Sequence, residues 1–486
     1  MSSDEANDAA FRDRLLADPR LAPVLSDPAR FRAQVLLTEV AETSGAGTEA
    51  CPQRRHTRLR RYAFRADAEY FYPASTVKLF GAIAACVTLR ELARAHPGLD
   101  KDTPLAFGAR PREADDVPTE KENENENEVT TMRAELAKLF LTSDNRAFNR
   151  CFDLCGPSGI RRWTDRHVPG EDVRVVHRLF DDARDGGDEG SDGTELPEVW
   201  AKPPGERGGE TRWVRVLPKR KDACCFEEDT SRVPRDASYY RIGTSLYRAR
   251  DGGGDVSYGP GGLDCVAKNR CSLRALQRAA LVLARPDLVG DERDERDKRD
   301  GGGENTRAMT ALHPDDRACI LQCATAFPRD AAACGVADAE YLARAAETPD
   351  AYPKFFLPGI RSALRRAGGR AAPRYAATVT NKLGRAYGCS VDNAHVRVVR
   401  VDEEADETDE MDDARDVRDD ETETPETEPS RAFREFFLAV AVQTNANGVV
   451  NDDAYEYDAV ADPFLEAVAE VAATFVWDPE RGHGNL

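Results

Sequence analysis

Apolar residues recur along this chain with two different periods. Thr76–Ala95 places Leu79, Ile83 and Val87 four apart, and Thr131–Leu141 does the same through Leu136, Leu139 and Phe140, so both segments predict helices. Ser272–Ala284 and Pro314–Ala326 predict two more, each opening on a residue suited to a helix start. Shorter apolar and β-branched runs predict strands: Phe31–Val40 around Val35-Leu36-Leu37, Leu59–Phe64, Tyr375–Lys382, Ala394–Val401 and Arg434–Gln443. Asp462–Phe475, with Phe464, Val468, Val471 and Phe475, predicts a closing helix. The order is strands, a long helical middle, strands and a helix. This predicts an α/β fold, in which residues 1–72 and 370–486 build a discontinuous sheet domain around a helical domain, 73–369.

Four segments break the pattern: 120–128, 181–198, 291–304 and 402–428. Each lacks hydrophobic periodicity and has the composition of a solvated, disordered insertion. They also relocate the charge. The chain carries a net −20 over 486 residues, but these four segments hold −28, leaving +8 on the rest. The patterned body is mildly basic, which suits an anionic small molecule. No finger, zipper or basic arm is present, so no nucleic-acid partner is expected. The apolar run Gly81–Val87 falls far short of the ~20 residues a membrane helix needs, so no membrane partner is expected either. Met1–Glu5 has neither the basic nor the apolar region of an export signal; the compartment stays open, cytoplasmic unless the chain starts further upstream. Without such a signal the 12 cysteines read as free thiols, with Cys151/Cys155 and Cys319/Cys323 on buried helix faces. The 7 histidines form no closely spaced pair, so neither a metal nor another cofactor is expected, and the molecule is expected to be a monomer.

Chemistry concentrates in Phe71-Tyr72-Pro73-Ala74-Ser75-Thr76-Val77-Lys78. Ser75 falls where a helix begins, and Lys78, three positions on, shares its face. A neutral Lys amine there can take the Ser hydroxyl proton, while the helix N-terminus favours developing negative charge. Two further groups come later, Ser143-Asp144-Asn145 after the next helix and Lys382-Leu383-Gly384 at the end of a strand. Each residue also has an ordinary role open to it: Ser75 and Ser143 as helix caps, Lys78 on the surface, Lys382 as a strand-end charge. Against that, this chain uses 57 Arg and only 11 Lys, yet Lys occupies both positions where a proton must come and go.

In this order, the Ser-x-x-Lys, Ser-Asp-Asn and Lys-x-Gly groups resemble those of class A β-lactamases and penicillin-binding proteins. Asn149 with Phe152–Gly159 resembles the stretch that follows Ser-Asp-Asn in class A enzymes. Lys382–Gly388, Thr444-Asn445, Asn451–Asp453, Tyr258-Gly259-Pro260 and Lys268-Asn269 resemble a bacterial branch known simply as serine hydrolases. The likeness runs from about Phe31 to Phe464, apart from the insertions. It implies an all-helical domain whose nucleophile faces the edge of an antiparallel sheet. Residue by residue it implies Ser75 as nucleophile, Lys78 as its base, Ser143 as proton relay, Asn145 as holder of the substrate amide and Lys382 as partner of a substrate carboxylate. The strand at Gly384 and Arg385 would complete an oxyanion hole from the backbone N–H groups of Ser75 and Arg385.

Two positions depart from the pattern. Leu383 stands where the family has a hydroxyl residue, and no Glu-x-x-Leu-Asn follows Asn145 to supply the base that activates the deacylating water. Glu171 and His177 are the alternative bases in that stretch. Three functions stay open on this reading: a β-lactamase-like hydrolase, a D,D-peptidase or esterase, and a binding or scaffold protein that keeps the pocket without turnover. Each takes a small molecule bearing a carboxylate, amide or ester.

Overall fold

The computed structural model describes residues 3–44, 55–112, 129–179, 195–204, 211–222, 237–248, 257–289, 312–368, 374–401 and 434–478. The predicted insertions 120–128, 291–304 and 402–428, and residues 181–194 of the fourth, lie outside these. The end of that fourth segment corrects the expectation. Glu195–Leu196 is a short strand paired with Arg220–Lys221, and Leu196 is fully buried, so the patterned fold resumes before residue 198.

In chain order the main elements are α1 (Ser3–Ala17), β1 (Gln34–Ser44), β2 (Arg55–Phe64), a 3₁₀ turn (Ala74–Val77) running into α2 (Lys78–Leu92), α3 (Met132–Leu141), α4 (Asn145–His167), α5 (Leu273–Ala284), α6 (Pro314–Thr325), α7 (Leu357–Gly368), β3 (Arg374–Asn381), β4 (Gly384–Ala386), β5 (Cys389–Val401), β6 (Arg434–Gln443) and α8 (Asp462–Trp477). The strands form one antiparallel sheet in the order β3–β5–β6–β1–β2, with β4 added on β5. Both chain ends therefore meet in the same sheet, and the predicted mixed architecture is the one observed.

The sheet is covered on both faces, which explains why β6 reads as a nearly continuous apolar run. Alternate residues Phe436, Leu438, Val440 and Val442 share a core with Phe11, Ile360, Phe464, Val468 and Phe475 from α1, α7 and α8. On the opposite face Leu36, Val391, Ala439 and Ala441 belong to the core of the helical middle. Although α7 precedes the expected domain boundary at 369/370, its Leu357, Ile360 and Ala363 pack with the sheet. Buried polar straps fix α5 across the sheet: Gln277 donates to the carbonyls of Leu36 (2.9 Å) and Phe437 (3.3 Å), and Asn393 donates to that of Leu276 (2.8 Å).

α2 is the axis of the helical part. Every residue from Lys78 to Val87 is buried, so the helix is enclosed on all sides rather than laid on a surface. Gly81 permits this, because a Cβ there would sit 2.6 Å from the Phe148 ring of α4. Between Tyr70 and Val87 a single residue is not buried, and it is Ser75.

Candidate active site

The start of the predicted helix is a 3₁₀ turn, in which residues three apart eclipse one another. That brings Ser75 and Lys78 into closer alignment along the axis than an α-helical start would. Ala74, just before Ser75, has φ +48°, a left-handed conformation costly for a residue with a Cβ. Ser143 (φ +57°) and Tyr387 (φ +55°) share it. Tyr387 and Gly388 form the two-residue turn of the β4–β5 hairpin, for which two left-handed residues are the favoured geometry.

Neither Ser75 nor Ser143 caps a helix, and Lys78 is not on the surface. The cap of α4 is Asp144, whose carboxylate accepts from the Ala147 N–H at 2.8 Å, which leaves the Ser143 hydroxyl for other partners. Lys78 is fully buried, and Lys382 is 2% exposed. The Lys78 ammonium reaches the Ser143 carbonyl, Asn145 Oδ1 at 2.7 Å and Ser143 Oγ at 3.4 Å. From the sheet side Lys382 Nζ donates to the same Ser143 Oγ at 2.9 Å and to the Leu383 carbonyl at 2.7 Å. One hydroxyl thus joins two buried lysines from different parts of the chain. Burial pushes Lys382 down to about 7, with attraction from Asp392 opposing that shift and repulsion from Lys354 adding to it.

Gly384 explains how the sheet reaches the serine. A Cβ on it would lie 2.6 Å from the Pro73 carbonyl oxygen and 2.7 Å from the backbone nitrogens of Ser75 and Thr76. Only glycine lets β4 lie this close to the turn. The next residue, Arg385, sends its guanidinium away, pairing with Asp462 and stacking over Phe355 (4.4 Å) and Tyr457 (4.7 Å). The Arg385 side chain is thus engaged with Asp462, Phe355 and Tyr457.

The two alternative bases are placed differently. Glu171 accepts from Ser272 Oγ at 2.7 Å and lines a cleft with Asp67, Glu69, Tyr240 and Arg270, and burial raises its carboxyl above the usual range. His177 spends both ring nitrogens on main chain. Nδ1 faces the Arg178 carbonyl at 2.7 Å and Nε2 accepts from the Asn269 N–H at 3.2 Å, an arrangement that assigns the proton to Nδ1. Asn269 also accepts from the N–H groups of Val176 and His177, and Asn149 clamps Leu179 through both its N–H and its carbonyl. The described contacts bring the side chains of Lys78, Ser143, Asn145 and Lys382 together, do not bring Glu171 or His177 to them, and join Ser75 through the main chain, its carbonyl accepting from the Lys78 N–H.

Sequence reasoning passed over the layer beneath Lys382. Asn381 donates to Asp392 Oδ1 (2.8 Å) and accepts from Lys354 Nζ (2.9 Å), all three buried. The scarcity of Lys that singles out Lys78 and Lys382 also singles out Lys354. Among the described residues no group of three or more His, Cys, Asp and Glu side chains is arranged to hold a metal ion. Cys151, Cys155, Cys319 and Cys323 are buried free thiols. No helix among the described residues is long and apolar enough to cross a membrane.

No family model and no curated protein matches the chain. Solved structures similar to it include a β-lactamase from Desulfarculus baarsii, at 15% identity and a TM-score of 0.38, with 96% of this chain and 98% of that one covered. The chromosome-encoded β-lactamase of Vibrio parahaemolyticus is similar at 10% identity and a TM-score of 0.38, covering 95% and 98%. PBP-A is similar at 11% identity and a TM-score of 0.38, covering 98% and 96%.

Proposed function

We propose that this chain is a β-lactamase-like serine hydrolase in which Ser75 forms an acyl-enzyme with a carboxylate-bearing amide or ester. The observation that carries the reading is the Lys78–Ser143–Lys382 hydrogen-bond chain, which starts one 3₁₀ turn from the sole partly exposed residue between Tyr70 and Val87. A neutral Lys78 amine is the form that can take the Ser75 proton.

In the acylation step Ser75 Oγ bonds to the substrate carbonyl carbon and its proton passes to Lys78 Nζ. The oxyanion is met by the N–H groups of Ser75 and Arg385. On collapse the bond to the leaving nitrogen or oxygen breaks, and the proton travels from Lys78 through Ser143 Oγ to the leaving atom. Asn145 holds the substrate amide, and Lys382, when protonated, attracts the substrate carboxylate.

The engagement of Glu171 with Ser272 and of His177 with main chain favours a second reading for the later half of the reaction. There the acyl-enzyme persists and the protein behaves as a penicillin-binding-type peptidase or an acyl-trapping protein. Incubation with a fluorescent penicillin, read by intact mass beside Ser75→Ala, tests both. A transient adduct with product release is expected of a β-lactamase, and a lasting one of the second reading. No adduct with penicillins, cephalosporins and activated esters overturns the serine-nucleophile assignment.

A further inference from the structure

Lys354 is 2% exposed, yet its ammonium is fully committed: to the Ala324 carbonyl, to the Val379 carbonyl at 3.0 Å and to Asn381 Oδ1 at 2.9 Å. Three acceptors match the three donors of a protonated lysine. A planar guanidinium could not make this compact tripod, which accounts for Lys in an Arg-rich chain. The Asn381 amide is fixed in one orientation, because its oxygen faces the ammonium while its nitrogen donates to Asp392 Oδ1 and to the Pro353 carbonyl, each at 2.8 Å. Asp392 is fully buried and also accepts from the Asn393 N–H at 2.8 Å. Its other oxygen has no hydrogen-bond partner among the described residues, so its charge acts across space. Asn381 directly precedes Lys382, and the Lys382 N–H donates to the Asn393 carbonyl, next to Asp392.

We propose that Lys354 and Asp392, bridged by Asn381, are positioning residues that together hold the charge on Lys382 where it faces Ser143. Asp392 supplies an attraction that favours the charged form of Lys382 against burial, and Lys354 likewise favours the ionised form of Asp392, whose carboxyl burial raises to about 6. The other charged or titratable groups facing Lys382 are Lys78, through Ser143, and His395, which lines a small cavity with it and is paired with Glu435. The consequence for substrate rests on the hydrolase reading; the consequence for the lysine does not.

The test follows the Lys382 side chain directly, by pH titration of the full chain labelled with ¹³C at lysine Cε, its signal assigned by loss in Lys382→Met. In the native protein the midpoint is expected near 7. Asp392→Asn removes the attraction and leaves the Lys354 repulsion, so the midpoint falls by about half a pH unit or more. Asp392→Asn combined with Lys354→Met removes both, and the midpoint rises back toward the native value without reaching it, since the attraction is the larger effect. A purely structural role predicts no such recovery. Equal midpoints in all three proteins, or a double variant lower than the single, overturn the proposal. Where Asp392→Asn alone does not fold, the charge-balanced double variant decides: a midpoint below native supports the proposal and an unchanged one overturns it. Failure of Ser75 to acylate would overturn the hydrolase reading and leave this titration standing.

Discussion

Two walls of the same molecule spend similar chemical groups in different ways. Beside Ser75, the side chains of Lys78, Ser143, Asn145 and Lys382 hydrogen-bond mainly to one another, across elements far apart in sequence. Along residues 168–179 a carboxylate and an imidazole are also available, but Glu171 is tied to the cap residue of α5 and His177 to two main-chain groups. The first wall is a side-chain cluster tied across elements, and the second holds a loop. On the proposed hydrolase reading, acylation is the step that the first wall would serve.

The comparison breaks most decisively at Lys78. Lys78→Met keeps the length and burial of the side chain and removes the amine. The rate of adduct formation at Ser75 is expected to fall about 10²–10⁴-fold, the range of a general base, as measured by time-resolved intact mass. Unchanged acylation would move the base elsewhere. Gly384→Ala comes next. Its Cβ would collide with the Pro73 carbonyl and the Ser75 amide, pushing β4 away from the turn. Acylation is expected to fall about 10²–10³-fold, as on losing one oxyanion donor, with the Ser75–Lys78 turn retained. Native-like acylation in a folded variant would exclude β4 from the oxyanion site.

A smaller effect comes from pH. Burial pushes Lys382 down to about 7, so its ammonium form predominates below that pH and the neutral amine above it. For a probe carrying a carboxylate, kcat/KM for acylation relative to that of an uncharged ester is expected to decline as pH rises above 7, approaching about tenfold per pH unit. A ratio flat from pH 6 to 9, on the order of three pH units, would remove Lys382 from carboxylate binding.

The groups readable from sequence were those whose partners lie one turn away or share a short motif. Ser75 and Lys78 declare themselves by spacing, and Ser143-Asp144-Asn145 by adjacency. The strands were legible because β6 is apolar from Phe436 to Val442, and its neighbours carry β-branched residues. The layer under Lys382 was not, since Lys354, Asn381 and Asp392 come from a loop and two strands, and nothing in their local spacing predicts that one amide will bridge the other two. The sequence puts Cys151 and Cys155 on a helix face but sets no bounds for that helix. In the fold, Gly156 (φ +66°, ψ 166°) leaves helical geometry, so two helices meet at a kink there and pack against α2. Long-range packing decides such places, and local propensity cannot foresee it. The placement of Glu171 has a similar origin: sequence position brings it to that stretch, and Ser272, about a hundred residues on, takes its carboxylate as a hydrogen-bond partner.

Glu171→Gln carries the smallest expected effect and sharpens the comparison most. The amide oxygen of Gln can still accept from Ser272 Oγ, so the link between the loop and α5 survives while the carboxylate is lost. If Glu171 only holds the loop, the lifetime of the Ser75 adduct should change by less than about twofold, far below what a general base contributes. Burial already raises the Glu171 carboxyl above its usual range, a shift that would also suit a base, so its charge state alone does not separate the roles. The lifetime does. Its extension by about 10²-fold or more in the Gln variant would show that the loop swings Glu171 toward the acyl-enzyme, and would make the second wall a catalytic one.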